Sequence, residues 1–170
     1  MMPPPPAVGH VADRKLPGPR GDIPVRLYTP FGIGPFPLTI YFQGGGFVLG
    51  NLDSHDSACR HLCLNSNSIV MAVDYRLAPE HPFPAAPDDC YAATVWAGQH
   101  AGEIGADGKR FAVSGDSAGG NLAAVVSLRA RDEGGPKLCG QLLNCPVTDY
   151  DMTLPSYRAN ADGYFLPLDT

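Results

Sequence analysis

The residues best suited to chemistry are Gly115-Asp116-Ser117-Ala118-Gly119, a G-x-S-x-G pentapeptide. A serine hydroxyl held in a sharp turn can be presented to a substrate carbonyl while a base takes its proton. Gly115 and Gly119, two before and two after the serine, suit such a turn because it leaves no space for a bulky Cβ environment. A helix N-terminus behind the serine favours negative charge as it develops. By composition alone the pattern arises in roughly one chain in ten or twenty of this size, so context must discriminate. The apolar run Phe111–Ser114 precedes it and an Ala-, Leu- and Val-rich stretch follows, the strand–turn–helix setting such chemistry needs. The alternative is a glycine-rich turn that merely packs tightly.

A second group is Gln43-Gly44-Gly45-Gly46-Phe47, again between a strand and a helix. Glycines there let backbone N–H groups approach a ligand closely, the usual construction of an oxyanion hole. A phosphate cradle is disfavoured, because the spacing is neither G-x-G-x-x-G nor G-x-x-x-x-G-K-[ST].

Alternating elements must position these groups. Ile23–Tyr28 alternates as a strand, Leu38–Phe42 is a short β-rich run, and Ile69–Val73 is apolar throughout, as in a central strand. Phe111–Ser114 and Gln141–Pro146 complete the expected strands. Helices are expected over Ser54–Asn65, capped by Ser54 or Asp53, over Asp88–His100 with Pro87 near its first turn, and over Ser117–Arg131, stopped by Gly134-Gly135-Pro136. Strands alternating with helices imply βαβ units and a largely parallel sheet covered on both faces. Residues 1–10 are proline-rich and expected to be a poorly ordered tail, leaving 11–170 as one α/β unit.

Composition narrows the partners. The chain of 170 residues is 44% hydrophobic and 17% charged, with 20 glycines and 18 prolines, which suits a folded protein with many tight turns. A net charge of −5 with scattered arginines disfavours nucleic acid. No apolar run is long enough to span a bilayer, and no signal peptide is readable. Five cysteines, Cys59, Cys63, Cys90, Cys139 and Cys145, fall at irregular spacings and read as small apolar residues in a reducing compartment, the cytoplasm.

Three runs carry a family resemblance. Gln43–Gly50 resembles the His-Gly-Gly-Gly-Phe loop of α/β-hydrolase-fold serine esterases of the hormone-sensitive-lipase type. Val73-Asp74-Tyr75-Arg76-Leu77-Ala78-Pro79-Glu80-His81-Pro82-Phe83-Pro84-Ala85-Ala86 is similar to that family's most recognisable segment, and Gly115–Ala123 to its extended serine turn. The resemblance implies an α/β-hydrolase fold and a carboxylic-ester hydrolase needing no metal or cofactor. By the same resemblance Ser117 is the nucleophile and the N–H groups of Gly44, Gly45 and Ala118 are the oxyanion hole. Gln43, Gly46, Gly115, Asp116 and Gly119 support the loop and turn. Gln43 stands where the family has a loop-ordering histidine, so its side chain is expected to order the loop by hydrogen bonding. The chain is expected to hold about six of the family's eight strands, without the triad acid and histidine. Rival readings are a non-catalytic small-molecule binder, like the plant gibberellin receptor that resembles the same family, and an inactive gene fragment.

No residue present fills the missing roles. His10, His55, His61, His81 and His100 all precede Ser117, whereas this architecture runs serine, acid, histidine. His81 reads as a structural hydrogen-bonding residue. Asp149 and Asp151 come one strand too early, and Asp116 should point away from Ser117 into a structural role. His55, Cys59, His61 and Cys63 invite a metal reading, but residues 59 and 61 lie nearly opposite on a helix and no paired C-x-x-C is present. Asp88 and Asp89 are adjacent, diverge, and are expected to cap a helix.

Overall fold

Residues 4–164 are described by a computed structural model. One six-stranded sheet organises them: β1 His10–Gly18, β2 Gly21–Thr29, β3 Phe36–Phe42, β4 Ile69–Val73, β5 Ala106–Asp116 and β6 Gly140–Asn144. Their spatial order is β1-β2-β4-β3-β5-β6. β1 and β2 form an antiparallel hairpin and β2 runs antiparallel to β4, while β4, β3, β5 and β6 pair in parallel. Parallel neighbours need long crossovers. Helices α1 Asp56–Ser66, α2 Ala85–Gln99 and α3 Ala118–Asp132 supply them, and a short α4 covers Pro155–Ala159.

The two-residue period of the strands sorts side chains into two cores. Leu38, Ile40 and Phe42 of β3 and Ile69, Met71 and Val73 of β4 meet Cys90, Ala93 and Ala97 of α2 and Leu122, Ala123 and Val126 of α3. Their intervening neighbours Tyr41, Val70 and Ala72 face Cys59 and Cys63 of α1 on the other side, together with Tyr28. All five residues of β4 are buried, as expected of a strand covered on both faces. Small residues on α2 and α3 let both helices approach the sheet closely.

Several boundaries differ from expectation. β1 lies outside the expected strands because Asp13, Arg14 and Lys15 are consecutively exposed and only Leu16 is buried, the pattern of a solvent-facing edge strand. The proline-rich start, expected as a loose tail, lies against α1. There the Pro6 carbonyl accepts from Arg60 at 3.3 Å and Val8 joins the smaller core; residues 1–3 are outside those described. α1 begins later than expected, with His55 rather than Ser54 or Asp53 at its N-cap and no side-chain cap. α2 begins three residues early, so Asp88 and Asp89 cap nothing. Asp89 takes a two-pronged bond from Arg76 at 2.7 and 2.8 Å, and Asp88 accepts from Arg129 at 2.9 Å. β5 starts at Ala106, five residues before the expected Phe111, because Gly108, Lys109 and Arg110 are exposed and give no apolar signal. β6 ends at Asn144, two residues short of the expected strand. None of the described helices is long and apolar enough to cross a membrane.

Candidate active site

β5 ends at Asp116 and α3 begins at Ala118, so Ser117 occupies the one-residue turn between them. Its φ of 52° and ψ of −119° lie where a residue with a Cβ is strained, which costs about 1–3 kcal/mol and must be held by the surroundings. Three main-chain bonds hold it. The Ser117 N–H donates to Asn144 at 2.9 Å, and its carbonyl accepts from Asn121 at 3.1 Å and from Val147 at 3.2 Å. Asn121 also donates through Nδ2 to the Val147 carbonyl at 2.8 Å. The hydroxyl of Ser117 makes no hydrogen bond among the described residues.

The flanking glycines are demanded by space. A Cβ on Gly115 would lie 2.2 Å from the Gly119 carbonyl oxygen, and one on Gly119 would lie 2.0 Å from that of Phe42 and 2.5 Å from that of Gln43. α3 therefore starts in direct contact with the end of β3, where the glycine loop begins. Gly45 and Gly46 have φ of 129° and 62°, open to glycine but rarely to other residues. A Cβ on Gly45 would also meet the Leu49 carbonyl oxygen at 2.2 Å.

Asp116 joins loop and turn. Its Oδ1 accepts from the Tyr41 hydroxyl at 2.5 Å and from the Gly44 N–H at 3.0 Å, and its Oδ2 lies 3.7 Å from Nε2 of His55. Burial works to raise its pKa, but His55, the Tyr41 hydroxyl and the Gly44 N–H together hold it below the ordinary 3.8. Tyr41 is pushed up by burial and by the Asp116 carboxylate, so it remains a neutral donor.

The three N–H groups expected to form the oxyanion hole are not equivalent. That of Gly44 is committed to Asp116, whereas those of Gly45, Gly46 and Ala118 donate to nothing among the described residues. Gln43 was expected to order the loop by hydrogen bonding. Its side chain is 3% exposed, and among the described residues its Nε2 has no partner and no side-chain hydrogen bond ties it to the loop. The loop is held through main chain instead: the buried Tyr75 hydroxyl donates to the Gln43 carbonyl at 2.7 Å, and the Ala78 N–H donates to that of Phe47 at 3.0 Å.

None of the five histidines bonds to Ser117. His10 is exposed on β1, and His61 is exposed on α1. The ring of His100 stacks on Trp96 at 4.5 Å and its Nδ1 lies 2.9 Å from the Trp96 carbonyl. His81, expected to hydrogen-bond structurally, does so only through its main chain, at 2.9 Å to Leu77, while its exposed side chain borders an open cavity of about 610 Å³. That cavity also touches Arg20, Arg76 and Asp88 but not Ser117, so it is not the chemical site. Among the described residues no three His, Cys, Asp or Glu side chains converge as a metal site, and Cys59 and Cys63 point into the core. Tyr41 and Tyr75 carry no local signal in the sequence, and His55 stood out only as a base or metal candidate, because each acts across the fold from another element.

A mostly parallel sheet between helices, with a strained serine between strand and helix and a glycine loop packed against it, is the α/β-hydrolase architecture. The chain belongs to the family described as alpha/beta hydrolase fold, whose sequence profile matches residues 39–170. It is 50% identical over 160 residues to "Esterase LipI" of Mycobacterium tuberculosis, covering 92% of this chain and 50% of that relative. An arylesterase of Saccharolobus solfataricus is 40% identical over 162 residues, covering 95% and 53% respectively. Among solved structures, an alpha/beta hydrolase enzyme from the Lake Arreo metagenome superposes with a TM-score of 0.92 at 46% identity, covering 97% of this chain and 54% of that one. The chain thus spans about half the length of the relatives it matches.

Proposed function

We propose that the protein carrying this chain is a carboxylic-ester hydrolase of the hormone-sensitive-lipase type, working through an acyl-enzyme on Ser117. Its substrate is a small-molecule ester; nucleic acid is no partner, and no cofactor is needed. The observation that carries this reading is the strained Ser117, with φ of 52°, at a turn packed against a loop with unengaged N–H groups. Ser117 Oγ attacks the ester carbonyl, and the developing oxyanion takes hydrogen bonds from Ala118, Gly45 and Gly46, assisted by the N-terminus of α3. The proton acceptor is a histidine oriented by a carboxylate, neither of them among the residues described here. That base returns the proton to the departing alcohol, and water then releases the acid. The names of the relatives, an esterase and an arylesterase, support the substrate class. Five free cysteines support a cytoplasmic setting.

The test is hydrolysis of short p-nitrophenyl esters by the whole protein, with covalent labelling by a fluorophosphonate read by mass spectrometry. Ser117→Ala is expected to lower turnover by roughly ten-thousand-fold or more and to abolish labelling. Unchanged turnover in Ser117→Ala rules out this nucleophile.

A further inference from the structure

The Asp116 carboxylate fastens the glycine loop to the serine turn, and the group behind that carboxylate is His55. We propose that His55, protonated on both ring nitrogens, is a positioning residue: its cation holds Asp116 in the place where that carboxylate grips the Gly44 N–H and the Tyr41 hydroxyl. The consequence for catalysis rests on the function proposed above; the clamp itself rests on geometry alone.

The proton count follows from Ser54. Its hydroxyl donates to the Asn51 carbonyl at 2.8 Å and accepts from the Asn51 N–H at 2.9 Å. It also lies 2.9 Å from Nδ1 of His55. A hydroxyl has one proton and two acceptor sites, so with its proton on Asn51 it can only accept from the ring, and Nδ1 carries a hydrogen. The other ring nitrogen, Nε2, faces Asp116 Oδ2 at 3.7 Å. In a neutral ring with its hydrogen on Nδ1, Nε2 would turn a lone pair on a carboxylate. A second proton replaces that repulsion by an ion pair.

The other titratable groups around the ring do not compete for this role. Tyr41 of β3, whose ring lies 6.1 Å from that of His55, is pushed up by burial and stays neutral. On its own helix the Cys59 thiol is pushed up by burial to about 12 and is uncharged. The neighbouring Asp56 is turned away, accepting from Arg60 at 2.7 Å and from Tyr28 at 3.0 Å. Among the described residues, Asp116 at the end of β5 is the carboxylate paired with the ring.

The clamp therefore has a sign: a cation at residue 55 tightens it, and removing that cation loosens it. Isotope-labelled protein is followed by NMR at one fixed neutral pH, reading the hydrogens on the His55 ring nitrogens and the hydrogen-exchange protection of the Gly44 amide. The ring is expected to carry a hydrogen on both nitrogens. His55→Ala should lower Gly44 protection roughly tenfold, since a charge-assisted network is weakened, and His55→Lys should keep it close to that of the unaltered protein. A ring with a single hydrogen, or equal protection in His55→Ala, overturns the proposal. Fluorophosphonate labelling of Ser117 is read in parallel. If labelling fails while Gly44 protection falls in His55→Ala, the clamp stands and the proposed nucleophile falls.

Discussion

Replacing Gly119 by alanine tests whether turn and loop are one rigid unit. The new methyl group would sit 2.0 Å from the Phe42 carbonyl oxygen and 2.5 Å from that of Gln43. Ordinary contact begins near 3.4 Å, so the gap must open by more than about 1 Å. Both obstructing atoms are backbone at the end of a central strand, and neither can rotate away as a side chain would. Overpacking of this kind costs about 1–3 kcal/mol when neighbours adjust, and the rigid backbone points to the upper end. For a chain of this size about 3 kcal/mol corresponds to a fall in Tm of roughly 6–12 °C. Because the strain falls on Gln43, the loop should also shift away from Ser117, slowing fluorophosphonate labelling by about tenfold or more. Gly102→Ala is the control, since a Cβ there meets nothing within 4 Å. Thermal melting followed by circular dichroism, with labelling rates at a temperature below both melts, separates the two effects. A Gly119→Ala protein that melts and labels like Gly102→Ala would refute the claim that the two elements are locked by contact.

Three further outcomes are expected. Asp116→Asn should destabilise by about 1–2 kcal/mol at neutral pH, because bonds to a charged acceptor become bonds to a neutral one. Since the folded pKa of Asp116 is lowered, its contribution is complete above 3.8 and is lost as pH falls through the lowered value, so urea denaturation should show the two proteins converging in acid. Tyr75→Phe should cost about 1–3 kcal/mol by leaving the Gln43 carbonyl without its donor, read as a lower urea midpoint together with slower labelling of Ser117. Gln43→Met should raise stability by about 1 kcal/mol, because it removes a buried amide nitrogen that has no partner while keeping the volume; a drop in Tm would show that this amide has a duty not visible here.

What was legible in the sequence was whatever is written in short periods. The apolar run Ile69–Val73 is β4 to the residue, and the pentapeptide around Ser117 falls at a strand–helix junction because glycine spacing and flanking apolar runs are local signals. β1 was not legible: an edge strand buries one side chain, so its polar residues show no alternation. The start of α2 was obscured by Pro84 at its N-cap and by Pro87, which was set just ahead of the helix although a proline is tolerated inside the first turn. The roles of Asp88, Asp89, Tyr41 and Tyr75 depend on partners on other elements, and no local pattern carries that information. The engagement of the Gly44 N–H is hidden in the same way. Three glycines in a row look equivalent, and only the carboxylate at the far end of β5 decides which N–H is engaged.

The long run Val73–Ala86 contains no residue that bonds to Ser117, yet it governs the site by the bonds it makes elsewhere. Tyr75 holds the first residue of the glycine loop by its carbonyl, and Ala78 holds the fifth. Arg76, anchored twice on the buried Asp89 of α2, fixes the chain between these two grips. Asp116, from the end of β5, takes the second residue by its N–H. The loop is thus secured at Gln43, Gly44 and Phe47, and the N–H groups of Gly45 and Gly46 between them donate to nothing among the described residues. Donors fixed before a charge develops need no reorganisation when it does, and that is where such a site gains most over water. The tethers also explain how glutamine can stand at residue 43. The position serves the loop through its main chain, so its side chain need only fit a buried space beside Gly50.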